Sequence, residues 1–137
     1  MSSINNINFD FKNEVALNPG GERALNCYLC GTCAAGCPIS EVEADYSPRK
    51  IMRKVLLGSR DELLNSGDIW RCWQCHTCVA YCPQDVRFAG VIRALREISL
   101  KENIFDESFA SKITEIDYET RVQRLERVNK LIRERNK

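Results

Sequence analysis

The residues of this chain best able to do chemistry are cysteines at regular spacing. One run reads Cys27-Tyr-Leu-Cys30-Gly-Thr-Cys33-Ala-Ala-Gly-Cys37-Pro38. A second reads Cys72-Trp-Gln-Cys75-His-Thr-Cys78-Val-Ala-Tyr-Cys82-Pro83. Both follow C-x2-C-x2-C-x3-C-P and lie 45 positions apart. They share more than cysteine and proline: Thr32 matches Thr77, Ala35 matches Ala80, and Tyr28 is answered by Trp73. All eight cysteines fall in these runs.

This spacing is a ligand pattern for a 4Fe–4S cluster. A cubane has four irons, and each needs one thiolate. Three cysteines at i, i+3 and i+6 on one turning segment can cap three irons, and the fourth must be capped from elsewhere. In two-cluster proteins with this run, the fourth cysteine serves the other cluster. The expected ligation is therefore crossed. Cys27, Cys30, Cys33 and Cys82 hold cluster 1, and Cys72, Cys75, Cys78 and Cys37 hold cluster 2. Crossing brings the runs together and sets the clusters within electron-transfer reach of each other. Zinc explains the pattern less well, because a tetrahedral site has no use for the third cysteine and the Cys-Pro step. Disulfides need an oxidising compartment, and neighbours at this spacing bridge poorly. A redox CxxC pair leaves the doubling unexplained. His76, the one histidine, reads as a loop residue rather than an iron ligand. Trp70, Trp73, Tyr28 and Tyr81 read as packing that shields the clusters from water.

The chain of 137 residues suits one domain. With 20 Lys and Arg against 19 Asp and Glu, the net charge of +1 gives no field for nucleic acid or an anionic membrane. No apolar run approaches the ~20 residues of a membrane span. The N-terminus lacks the basic and apolar regions of a signal peptide. Reduced cysteines without an export signal lead us to expect the cytoplasm. The oxygen lability common among such clusters leads us to expect an anaerobic host.

The elements that must position the cysteines read as follows. Residues 1–19 form an N-terminal arm, expected extended because Ile7, Phe9, Phe11, Val15 and Leu17 alternate with polar residues, and serving either as a strand added to a partner or as a tail packed on its own domain. Asn18-Pro19-Gly20-Gly21 is a turn, and a short helix from Glu22 to Asn26 leads into the first run. Residues 27–40 carry no charged side chain. Gly31 and Gly36 permit the tight backbone that lets N–H groups face sulfur. Ser47-Pro48 starts a helix with Ile51, Met52, Val55 and Leu56 on one face, and Gly58 ends it. Ser59-x-x-Glu62 predicts a capping box for a helix with Leu63 and Leu64, and a turn through Ile69 and Trp70 reaches the second run. Arg49, Lys50, Arg53 and Lys54 read as a solvated basic face. Asp85 is the expected N-cap of a helix burying Phe88, Val91, Ile92, Leu95 and Ile98 to about Lys101. The two-cluster domain thus spans 20–101. Residues 102–137 form a C-terminal extension with Val122, Leu125, Val128, Leu131 and Ile132 on one side of an amphipathic helix. The fold class is all-α.

No nucleophile–base pair, phosphate loop or dinucleotide fingerprint is present. With eight cysteines for two clusters, no iron is left open for substrate. The chain reads as an electron carrier.

The helical insert between the runs resembles the α-helical ferredoxin architecture. Together with CYLCGTCAAGCP and CWQCHTCVAYCP, over roughly residues 20–100, it resembles the iron–sulfur electron-transfer subunit of heterodisulfide reductase. The resemblance implies membership of an oxidoreductase complex of methanogenesis. In that family the electron-transfer subunit relays electrons from a flavin- and cluster-bearing subunit to a disulfide-reducing one. The latter reduces the mixed disulfide of coenzyme M and coenzyme B. The ligands carry over to Cys27, Cys30, Cys33, Cys37, Cys72, Cys75, Cys78 and Cys82. The CCG motifs of the disulfide-reducing subunit are absent, so the resemblance implies no catalytic centre on this chain. Alternatives are the iron–sulfur subunit of another anaerobic oxidoreductase or heterodisulfide-reductase-like complex, and a free-standing ferredoxin. A protein that holds its clusters only as structural staples is a further one.

Overall fold

A computed structural model describes residues 6–136. Residues 1–5 of the expected arm and Lys137 lie outside the described residues. The chain divides into two compact units, Met1–Ile104 and Phe105–Lys137. Among the described residues all regular structure is helical.

In the first unit, α1 (Phe11–Leu17) and a 3-10 turn (Ala24–Asn26) precede the first cysteine run. The run itself contains α2 (Thr32–Ala35), and α3 (Pro38–Val42) starts at its proline. Then come α4 (Pro48–Leu57), α5 (Arg60–Asn65) and α6 (Asp68–Arg71). The second run contains α7 (Thr77–Tyr81), and α8 (Phe88–Lys101) closes the unit.

The extended arm is corrected over residues 11–17. Phe11 and Val15 are both fully buried, whereas Ile7, Phe9 and Leu17 are exposed. The burial step is four residues, one helical turn, and the apparent alternation came from side chains that stay in water.

α4 forms as its sequence signals predict. Ser47 Oγ accepts the Lys50 N–H at 3.4 Å, Pro48 occupies the first turn, and Gly58 ends the helix at φ 83°. Ile51, Met52 and Val55 are buried. The capping box at α5 is not formed. Ser59 makes no side-chain cap, and Glu62 instead pairs with Lys54 at 3.1 Å. Even so, Leu63 and Leu64 are fully buried.

α8 is the wall against which α1, α5, α6 and α7 pack. Phe88, Val91, Ile92, Leu95 and Ile98 are buried, with Ala89 and Ala94 filling the closer approaches. Its N-cap is Arg87 at φ 59°, not Asp85. Asp85 sits in a left-handed turn of its own, and its carboxylate takes Arg23 at 2.7 Å and Arg87 at 3.1 Å.

Two backbone contacts seat α1 and its flanks. Asn8 N–H donates to the Gly58 carbonyl at 2.8 Å. Gly20 and Gly90 meet face to face: a Cβ on Gly90 would lie 2.4 Å from the Gly20 carbonyl oxygen. Arg60 adds a polar tie. It bonds Glu14 of α1 at 2.7 and 2.8 Å, reaches Glu102 beyond α8 and lies over the Phe11 ring.

The second unit is α9 (Glu107–Arg135), one continuous helix. Asp106 accepts the Phe109 N–H at 2.8 Å, and Phe105 packs on Phe109 at a ring separation of 4.9 Å. Arg133 and Arg135 suit the negative end of the helix dipole. None of its residues is buried.

Gly90→Ala forces backbone apart at the α8 contact, because a rigid carbonyl cannot yield as a side chain would. It should cost about 1–3 kcal/mol of stability. The midpoint of denaturant unfolding, compared with that of the native chain, checks this.

Candidate metal centre

The cysteine runs fold into two copies of one loop. Leu29 (φ 60°) and Gln74 (φ 55°) occupy the same place in each. Both are in the left-handed region, which costs a non-glycine residue about 1–3 kcal/mol. The turn aims a backbone N–H at sulfur: Leu29 N–H donates to Cys27 Sγ and Gln74 N–H to Cys72 Sγ, both at 3.4 Å. Gly31 (φ 86°) and His76 (φ 63°) then start α2 and α7 from matching positions. His76 is thus a loop residue whose carbonyl accepts the Val79 and Ala80 N–H groups. Thr32 Oγ1 lies 3.3 Å from Cys30 Sγ, and Thr77 Oγ1 lies 3.3 Å from Cys75 Sγ.

α2 and α7 pack directly on each other, which sets the two loops side by side. Two cavities result. Cys27, Cys30, Cys33, Cys78 and Cys82 line the first, with Arg49, Met52, Val86 and Phe88. Cys37, Cys72, Cys75 and Cys78 line the second, with Ile39, Pro48 and Ala89. Counting solvent at their mouths, they enclose about 430 and 320 Å³. Cys82 has crossed to the first cavity and Cys37 to the second, while Cys78 borders both.

The donor set fits a group that brings positive charge of its own. Burial pushes the thiols of Cys27 and Cys33 up, and that of Cys78 up to about 11, because a thiolate is poorly solvated there. At exposed Cys30 the Thr32 hydroxyl acts the other way and lowers it. At Cys27 the Leu29 N–H only partly offsets the missing water, and backbone N–H groups of Gln74 and Val86 also reach Cys72 and Cys82. Bound iron supplies what is lacking. Among the described residues no three His, Cys, Asp or Glu side chains gather as they would around a single ion. The sulfurs instead ring spaces that suit a larger centre.

Several residues at this centre escaped sequence reading. Arg49 is no simple member of a solvated face: its Nε donates to the Leu29 carbonyl at 2.7 Å and it borders the first cavity. Arg96 donates to the carbonyls of Ile69 and Cys72, each at 2.8 Å, and lies over the Trp70 ring at 5.0 Å. These arginines hold the start of the two loops through their backbone. Gln74 Nε2 donates to Cys72 Sγ at 3.4 Å and to the Ala89 carbonyl at 3.2 Å. Of the aromatic residues, Trp70 is buried, Tyr28 and Trp73 edge the two cavities half in water, and Tyr81 lines neither.

The 4Fe-4S dicluster domain family matches residues 23–86, a span that takes in both runs. The chain carries two 4Fe–4S clusters as its cofactors. It is 41% identical over 107 residues to a CoB–CoM heterodisulfide reductase iron–sulfur subunit of Methanocaldococcus jannaschii, covering 72% of this chain and 56% of that one. It is 36% identical over 110 residues to the corresponding subunit of an H2/formate:CoB–CoM heterodisulfide, ferredoxin reductase of Methanococcus maripaludis, covering 74% and 58%. A third relative, from an H2:CoB–CoM heterodisulfide, ferredoxin reductase of Methanothermobacter marburgensis, is 32% identical over 96 residues, covering 70% and 51%. The chain spans about half the length of the curated relatives it matches. No helix among the described residues is long and apolar enough to cross a membrane. With a dicluster domain over both cysteine runs and this likeness to the same subunit from several methanogens, the chain is a homologue of the heterodisulfide reductase iron–sulfur subunit.

Proposed function

We propose that the chain is the electron relay of a cytoplasmic heterodisulfide reductase. It takes electrons from a flavin- and iron–sulfur-bearing partner and delivers them to a second partner that reduces the CoB–CoM disulfide. The observation that carries the reading is the shared wall between the two cavities. Cys78 borders both, so nothing thicker than one side chain separates the two sites there. Each cluster, when bound, accepts and passes on one electron at a time.

The ligands in this reading are Cys27, Cys30, Cys33 and Cys82 for cluster 1, and Cys72, Cys75, Cys78 and Cys37 for cluster 2. The sulfurs that line each cavity support the crossing. Cys78 goes to the second site because it follows Cys72 and Cys75 at the three-residue step of the motif. The protein's own work is to hold eight thiolates in place, direct N–H groups at them and keep water from the sulfurs with Met52, Val86, Phe88, Ile39 and Ala89. Disulfide reduction to two thiols needs two electrons and two protons at a substrate site, and this chain contributes only the path for electrons. The unburied length of α9 supports a life inside an assembly, where a partner protein covers it.

Two experiments test the reading. Anaerobic affinity purification from the native host should recover a flavoprotein and a CCG-motif protein with the chain, and about eight iron atoms per copy of it. Recovery of the chain alone with the same iron would make it a diffusible ferredoxin. Separately, Cys37→Ser should alter the cluster held by Cys72, Cys75 and Cys78 and spare the one nearer in sequence. Site-resolved spectroscopy that finds the damage at the Cys27 cluster would sink the crossed ligation.

A further inference from the structure

Tyr46 ends the bend before α4, next to the Ser47 cap. Its side chain is 2% exposed. Among the described residues its hydroxyl is sealed from solvent and makes no hydrogen bond of ordinary geometry with any protein atom. A hydroxyl buried without a partner is a cost that folding rarely leaves in place without a use. The Cys72 and Cys37 side chains lie beside the phenol, and Pro48, two residues on, lines the second cavity with both cysteines. The group beside these sulfurs is therefore a donor with nothing else to donate to.

The two runs differ at the Cys72 sulfur. Cys27 and Cys72 hold matching positions and receive matching backbone N–H groups at 3.4 Å. Leu29 can add nothing from its side chain. Its counterpart Gln74 adds a second N–H to Cys72 Sγ at 3.4 Å, steadied by the Ala89 carbonyl at 3.2 Å. The sulfur that Gln74 bonds is also one of the two that Tyr46 faces.

We propose that Tyr46 donates its hydroxyl proton to the Cys72 sulfur and, with Gln74, raises the reduction potential of the cluster held there. One-electron reduction places added negative charge on the sulfurs, and a fixed donor stabilises the reduced state more than the oxidised one. Tyr46 is a positioning and tuning residue, and it ligates no iron. The proposal rests on the cluster ligation given above, but only on the part that joins Cys72 to Cys75 and Cys78. It holds whichever site takes Cys37.

The test is an anaerobic redox titration of the full chain with both clusters bound, followed by electron paramagnetic resonance. Cys75→Ser marks which signal belongs to the Cys72 cluster. Tyr46→Phe and Gln74→Leu should each shift the marked midpoint to lower potential, the pair together should shift it furthest, and the other cluster should hold still. An unmoved marked midpoint in Tyr46→Phe, or a shift only at the other cluster, overturns the proposal. Should Tyr46→Phe fail to take up both clusters, 3-fluorotyrosine throughout the otherwise native chain replaces it. This stronger donor of nearly equal size must raise the marked midpoint, and a midpoint that stays put overturns the proposal as well. Partner capture plays no part in this readout, so its failure leaves the relay reading standing, and a chain recovered alone leaves the Tyr46 result standing.

Discussion

Burial and ionisation oppose each other at the cysteines, and the rest of the first unit is arranged around that conflict. Sulfurs that are to hold iron must be thiolates. Sulfurs that are to keep a cluster dry must leave water. Cys78 shows the tension most plainly, with its thiol pushed up to about 11, chiefly by burial. Side-chain charge contributes little locally, because residues 27–40 contain none. The backbone answers instead. It accepts strained turns at Leu29 and Gln74 in order to point N–H groups at Cys27 and Cys72.

Strained turns hold only where their surroundings over-determine them. Here two arginines from outside the loops do so. Arg49 of α4 fastens the first loop through the Leu29 carbonyl, and Arg96 of α8 fastens the second through Cys72. Both work through backbone carbonyls, so they leave the sulfurs free for metal. The buried faces of α4 and α8 have a double role: Met52 and Phe88 belong to the hydrophobic core and also to the wall of the first cavity. Core packing and cluster shielding are thus one set of contacts.

This division explains what could be read from the sequence. Eight cysteines at fixed spacing report their own chemistry, and the strip Phe88–Ile98 reports its own burial by helical period. The Ser47-Pro48 start and the Gly58 stop are local signals met by local bonds. The errors lie where a local signal lost to a distant partner. Phe11 and Val15 went to α8 and α4 rather than to a strand edge. Glu62 turned to Lys54 and left Ser59 without its box. Asp85 was drawn to Arg23 rather than capping α8. Arg49, Arg96, Gln74 and Tyr46 gave no sequence signal, since each matters only through a loop that the fold brings to it.

The exchange of Cys37 and Cys82 between the cavities also bears on how the protein is made. Neither cavity is a property of one half of the chain. The first lacks Cys82, Val86 and Phe88 until α8 begins, and the second lacks Ala89. A nascent chain that has released only the first run offers loose thiols, not a site. Iron delivered then would meet an incomplete cage. The lining of both cavities is complete only when the second run and the start of α8 are in place, so neither site belongs to one half of the chain.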